Sequence, residues 1–434
     1  MRLFLRGLVT AVAVLALLLV AACSDSETPT RSPDGDDLAG LETLTIESEP
    51  TWTINVRTGH RIAFHDDVAV VAEDGVAGGM GRDVIVLDAA TGEERWRHGE
   101  GEIPGLDRAL PVPNGSAVVG DEGDEVVLVG YSAPSCQSDP CLSDDPAEPE
   151  AGVAALDLRT GEVRWSRPTV TLPAASDQRM RIASGRHGGP LVAIGPFDAG
   201  GPQDPGAYRS MELDPATGET VWEAEGVIAR WVLDDRVIAL APVGPEVPPQ
   251  LRTELGVPVA LDRDSGDELW RAAVEEPAGW VGAGGDHLVV TPAATPDVRH
   301  IIDLEDGSDA GRVEGLDDTV PSTVDSETGM LVFYRYGEHQ QLFTQLLGTE
   351  ESETEAEEPV ACTGKAERTA GTVAHLGYID CVQRDDTGEP VTVFLDRRGN
   401  EVSDQLPGTA LDLTDDHYVA TTLGAGIAVY ARTS

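Results

Sequence analysis

A single all-β propeller is the fold this sequence predicts, and three observations predict it. One pattern recurs four times: an Asp, a Gly four residues later and a Trp eight residues later. Further apolar segments of strand length lie between the copies, so that each unit holds about four strands over roughly 45–50 residues, the size of a propeller blade. Finally, Trp52 sits in a segment that resembles the end of a copy without its beginning, while residues 425–434 resemble a beginning without an end.

The four copies are Val86 to Trp96, Ala155 to Trp165, Glu212 to Trp222 and Ala260 to Trp270. Their aspartates are Asp88, Asp157, Asp214 and Asp262; their glycines are Gly92, Gly161, Gly218 and Gly266; their tryptophans are Trp96, Trp165, Trp222 and Trp270. The apolar residues before each Asp read as a strand. The Asp side chain can accept backbone N–H bonds in an Asx turn, to which the following Thr or Ser hydroxyl adds. Gly supplies the positive φ of a tight hairpin. The Trp that ends each copy is a large flat group suited to packing between neighbouring sheets. Each copy is therefore expected to be a strand, a turn and a second strand with an aromatic anchor.

Weaker copies continue the series. His300 to Gly307 keeps Asp303 and Gly307 but has Gly311 at the Trp position. Thr392 to Val402 keeps Asp396, with Gly399 one place early. Gln341 to Leu347 reads as a degenerate strand. Counting third strands near 86, 155, 212, 260, 301, 344, 394 and 429 gives eight blades, with seven the alternative if the region around 340 is an insertion. Trp52 is expected to lie on a strand that completes the last blade, which removes two exposed sheet edges. Trp231 and Trp280 fall in first strands of later blades.

The chain divides into an address segment at residues 1–22, a tether at 23–44 and the propeller at 45–434. Arg2 and Arg6 flank an apolar run from Leu8 to Ala22 that only Thr10 interrupts. At about 15 residues it is short for a membrane span and matches the apolar part of a signal peptide. Ser24 to Asp37 is polar, contains Pro and Gly, and cannot build a core.

The formal net charge is −47. Loss of Arg2 and Arg6 with a cleaved signal makes it more negative still. Such a charge repels nucleic acid and anionic headgroups, so no nucleic-acid partner is expected. Of the five cysteines, Cys136, Cys141, Cys362 and Cys381 form an even set in what reads as an exported chain, which favours disulfides. Four cysteines allow three pairings, and proximity favours 136–141 and 362–381. The CxxxxC spacing is not a CxxC redox motif, and no histidine stands nearby to complete a zinc set.

Two resemblances add to this reading. Val20-Ala21-Ala22-Cys23 resembles the lipobox of bacterial lipoproteins, which implies that Cys23 is diacylglycerated and becomes the mature N-terminus. Two acyl chains hold a protein at a membrane where one holds only marginally. The four copies resemble the PQQ-like β-propeller repeat, Ala-x-Asp-x-x-Thr-Gly-x-x-x-Trp; Ala155 and Ala260 match its first position, Val86 and Glu212 depart from it, and Ser265 replaces Thr. Among lipoproteins with this repeat, the similarity in kind is to the Bam-complex B subunit, a scaffold. Taken together, these readings lead us to expect a lipid-anchored, extracytoplasmic, monomeric protein that binds an envelope protein or a small ligand.

In the superfamily's quinoprotein dehydrogenases, the quinone (PQQ) sits over a calcium ion near a disulfide of adjacent cysteines. This chain has no adjacent cysteine pair, so neither PQQ nor calcium is expected, and no other cofactor or metal. There is no GxSxG elbow, no HExxH helix and no phosphate-binding loop. The histidines are dispersed. Thr349 to Glu358 is an acidic run that reads as a solvated loop. Residues 132–152 form a Pro- and Asp-rich insertion in the second blade, placed where propeller rims carry binding loops. No catalytic residues are assigned: the expected function is a non-catalytic scaffold, with a ligand sensor and, further off, a quinoprotein oxidoreductase as alternatives.

Overall fold

Both faces of these strands are apolar, which is what a strand buried between two other sheets requires. In Val68–Glu73, for example, Val68 and Val70 face one neighbour and Ala69 and Val71 the other. The computed structural model describes residues 43–432 with breaks, chiefly 74–83, 134–149, 172–178, 184–190, 196–207, 243–254, 317–321, 336–340 and 348–373. Cys23, Cys136, Cys141, Cys362 and the acidic run all lie outside the described residues.

The described strands fall into eight successive antiparallel sets, here sheets A to H. Sheet A spans 60–98, B 110–171, C 179–225, D 228–271, E 278–313, F 323–346 and G 374–407. Sheet H spans 409–431 and takes its fourth strand, Trp52–Asn55, from the other end of the described chain. Sheets A to E and G each run first to fourth strand in chain order, and F shows three strands among the described residues. Sheets D and E share a short bridge, Leu255 opposite Gly279 and Gly256 opposite Ala278, that merges them into one hydrogen-bonded network.

Eight apolar clusters hold neighbouring sheets together. Val86, Trp96, Val127 and Leu156 join A to B. Met330, Val332, Ile379 and Cys381 join F to G. The cluster of Trp52, Val71, Ile85, Ala420 and Val429 joins H to A and so closes the series into a ring. The fold is a β-propeller.

Trp52 pairs with Val429 as Trp96 pairs with Val86, Trp165 with Ala155, Trp222 with Glu212 and Trp270 with Ala260. The N-terminal strand thus takes the register of a repeat's second strand. One boundary shifts. Leu44, assigned above to the end of the tether, is 4% exposed, packs against Phe394 and Tyr430, and donates its amide N–H to Val402 O at 2.7 Å. The apolar side chain at 44 has a core to join, so order begins before residue 45. The strands Val126–Ala133 and Glu150–Asp157 likewise run into both ends of the expected insertion at 132–152.

Candidate functional site

The repeat residues converge at each contact between sheets. Asp88 Oδ1 accepts the backbone N–H of Ala90 at 3.2 Å and of Thr91 at 3.0 Å, and the Thr91 hydroxyl at 2.9 Å. Thr91 Oγ1 in turn accepts the N–H of Glu93 at 3.3 Å. Asp157 with Thr160, Asp214 with Thr217 and Asp262 with Ser265 repeat this network within a few tenths of an ångström. Donors aimed at a carboxylate stabilise its ionised form. The Arg95 and Thr91 bonds hold Asp88 below the usual carboxylate range, and the Thr217 amide and hydroxyl do the same for Asp214. Burial opposes the effect at Asp157, where Arg164 and Thr160 still prevail.

The turn glycines do more than relax the backbone. Gly218 has φ +71°, and a Cβ there would lie 2.6 Å from the ring of Trp165, which belongs to the preceding sheet. Gly92 meets Trp52 in this way, Gly161 meets Trp96, Gly266 meets Trp222 and Gly307 meets Trp270. Each indole N–H then donates to the carbonyl just after the Asp of the next sheet: Trp52 to Ala89 at 2.8 Å, Trp96 to Leu158 at 2.9 Å, Trp165 to Pro215 at 2.8 Å, Trp222 to Arg263 at 2.5 Å and Trp270 to Leu304 at 2.9 Å. The Trp of one copy thus docks on the Asp–Gly turn of the following one. That offset is visible in the sequence: five tryptophans precede five glycines, and the fifth copy keeps Gly307 for Trp270 although its own Trp position is Gly311.

Departures from the pattern have visible consequences. Glu212 stands where two other copies have Ala. Burial pushes its carboxyl above the usual range, against the Trp222 N–H bond at 2.7 Å and the charge of Arg263. Seven residues after Asp88 and Asp157, Arg95 and Arg164 return to bind the Asp carboxylate at 3.0 and 2.6 Å. At the same position sheets C and D carry Val221 and Leu269, which are 54% and 48% exposed. No sequence signal separated these two from ordinary strand residues.

In sheets A, B, D and E the turn between the first and second strands is stitched to the turn between the third and fourth. Ala89 N–H donates to Asp67 O, Leu158 to Glu125 O, Arg263 to Asp235 O and Leu304 to Asp286 O, at 2.9–3.2 Å. Both turns therefore lie on one rim. Between sheets A and B this rim opens into a cleft of about 660 Å³, lined by His65, Asp66, Asp67, Arg95, Glu125 and Arg159 among others. Arg95 binds Asp67 at 2.6 Å, and this bond holds the Asp67 carboxyl below its usual range. Glu125 is 5% exposed and is kept ionised chiefly by the backbone N–H of Gly123, against the cost of burial. A second cavity of about 590 Å³ lies against sheets D and E, walled by Val274, Ala278, Val290 and Val298 with Arg312 and Glu314.

Cys381 lies fully buried on Tyr378–Arg384 and is disulfide-bonded. A quinone would need an aromatic face or the adjacent cysteines that the resemblance implies. The five docked indoles are packed against the turn glycines of the next sheet and do not offer that face.

Residues 47–193 match a family model described as "Outer membrane protein assembly factor BamB". Among solved structures, quinohemoprotein alcohol dehydrogenase from Comamonas testosteroni is similar at 13% identity and a TM-score of 0.52, over 91% of this chain and 77% of that one. The computationally designed Ika8 protein is similar at 13% identity and 0.51, over 88% and 98%. The Dos1 propeller is similar at 11% identity and 0.51, over 88% and 94%. At these identities the likeness is one of fold. Comparison with curated proteins gave no significant match.

Proposed function

We propose that this chain is an extracytoplasmic lipoprotein, anchored through Cys23, whose propeller is a non-catalytic scaffold for an envelope protein. One observation carries this reading. The recurring polar and aromatic residues, from Asp88 to Trp270, are spent on docking one sheet to the next. What they build is a ring of docked sheets, and its exposed surface is left to carry recognition. The match of residues 47–193 to a family described as an outer-membrane assembly factor supports an envelope scaffold of this kind. Val221 and Leu269 are natural contact points, because both are apolar and exposed where other copies carry a paired arginine.

Photo-crosslinking in intact cells tests it, with a photoreactive residue at Val221 or at Leu269. One reproducible protein adduct is expected at these positions and none from Arg97, which lies beside Glu94 on the outer strand of sheet A. Failure at both positions removes the exposed outer strands of sheets C and D as the contact surface. The anchor is tested separately: Cys23→Ala should move the protein from the membrane fraction to the soluble fraction. Retention of an uncleaved chain in the membrane would make residues 8–22 a true span. An absorbance titration with quinone and calcium addresses the enzyme alternative, for which a stoichiometric spectrum would count.

A further inference from the structure

We propose that His65, Asp66 and Glu125 form a binding site for a divalent first-row transition ion, of which Zn²⁺ is the first to test. The donors come from two sheets. His65 ends the first strand of sheet A, His60–His65, and Asp66 begins the turn after it. Glu125 stands immediately before the second strand of sheet B, Val126–Ala133. One ligand atom from each lies within 4.8 Å of the other two.

The site has a buried half and an exposed half. Glu125 is 5% exposed at the floor of the cleft of about 660 Å³, so its carboxylate is held in place among packed neighbours. The side chains of His65 and Asp66 are 37% and 72% exposed, with Nε2 and Oδ2 3.9 Å apart. A bound ion at about 2.0–2.2 Å from each ligand would draw donors to roughly 3.4 Å from one another. The two exposed side chains can close that difference by small torsional changes while Glu125 stays put.

Chemistry selects the ion. One imidazole and two carboxylates make a mixed nitrogen and oxygen set that suits Zn²⁺ and its first-row neighbours. Three protein ligands leave a coordination position open toward the cleft. Calcium takes about 6–8 oxygens and gains little from an imidazole, so it is disfavoured here. The cationic wall does not forbid an ion. Arg95 is engaged by Asp67 at 2.6 Å and Asp88 at 3.0 Å. Asp66, Asp67 and Glu125 outnumber Arg95 and Arg159 along the lining.

The test is calorimetric titration of ZnCl₂ into the untagged, full-length oxidised chain in detergent, after stripping with chelator. One ion per chain is expected. Glu125→Gln and His65→Gln should each weaken binding by about tenfold or more. Asp66→Asn, at an exposed position, should also weaken it without disturbing the fold, as circular dichroism would verify. Glu268→Gln, on the outer strand of sheet D, should leave it unchanged. Absence of stoichiometric uptake by the parent chain, uptake that survives both Glu125→Gln and Asp66→Asn, or a preference for CaCl₂ over ZnCl₂ would each overturn the proposal.

Discussion

Five consecutive contacts in the ring, from H to A through D to E, use the same indole-on-glycine dock, and the other three do not. Between F and G, Asp325, 2% exposed, accepts the hydroxyl of Thr328 at 2.6 Å and the N–H of Gly377 at 2.5 Å from the next sheet. Between G and H, Thr392 Oγ1 donates to Gly408 O at 2.9 Å and accepts the N–H of Ala410 at 3.1 Å. Phe333 and Phe343 stack at 5.8 Å in the arc that has no repeat tryptophan. The two arcs have the same apolar floor and different polar fastenings. A propeller contact thus requires buried area and satisfied backbone groups, and the motif is one way to meet both needs.

The largest effect should come from truncating an aromatic in either arc. Trp222→Ala in the docked arc and Phe343→Ala in the other should each destabilise by about 3–5 kcal/mol in urea unfolding, as buried aromatic losses do. A much smaller loss at Phe343 would break the comparison, because the second arc would then be held by something other than packing. Next in size is the disulfide. Cys381→Ser, at the F–G contact, should cost about 2–4 kcal/mol and lower amide protection in sheets F and G before sheet A. Peptide mapping of the oxidised chain should identify Cys362 as the partner; recovery of Cys381 linked to Cys136 or Cys141 would refute that pairing.

Glycine substitutions sharpen the contrast further. Gly218→Ala meets both a positive φ and the Trp165 ring, and should cost about 1–3 kcal/mol from strain before any displacement of the indole. Gly388→Ala, φ +90° with open space around it, should cost about 1 kcal/mol. Equal losses in thermal unfolding would mean that the indole yields freely and the dock is loose.

The smallest effects are those of pH, and they have two signs. Asp88, Asp157 and Asp214 have lowered folded-state pKa values, so their stabilisation is present above the ordinary Asp range and is lost as pH falls through the lowered values. Asp214→Asn should therefore weaken the protein at pH 7 and reduce the steepness of acid unfolding. Glu212 behaves oppositely. Its raised pKa makes the folded state bind a proton more tightly, so its contribution is full below the ordinary Glu value and is lost as pH rises through the folded value. Glu212→Gln should raise Tm at pH 7, with the gain vanishing near pH 4; a gain that persists there would deny the titration.

The propeller, its closing strand and the strand-turn-strand unit were all legible in the sequence, because positive-φ glycines, Asx turns and aromatic anchors are short-range signals. The direction of docking was legible too, in Gly307 without a Trp at 311, once glycines are matched to the preceding tryptophan. The cleft was not. His65 and Glu125 are some sixty positions apart, and only the stitching of turns onto one rim brings them together. The Asp325 latch escaped for a related reason: Asp325-x-x-Thr-Gly329 has the repeat's turn spelling, but it joins first and second strands instead of third and fourth.

The strand Trp52–Asn55 makes sheet H from both ends of the described chain, and this sets an order of events. That strand has no hydrogen-bonded neighbour in its own sheet until Gly426–Ala431 has been synthesised, so the ring stays an open horseshoe until that segment is available. A pull transmitted through the chain before Leu44 is met first by the packing of Leu44 and its bond to Val402, and then by these four residues. Stretched from that side, the molecule would unfasten at this clasp while the remaining sheets still hold one another.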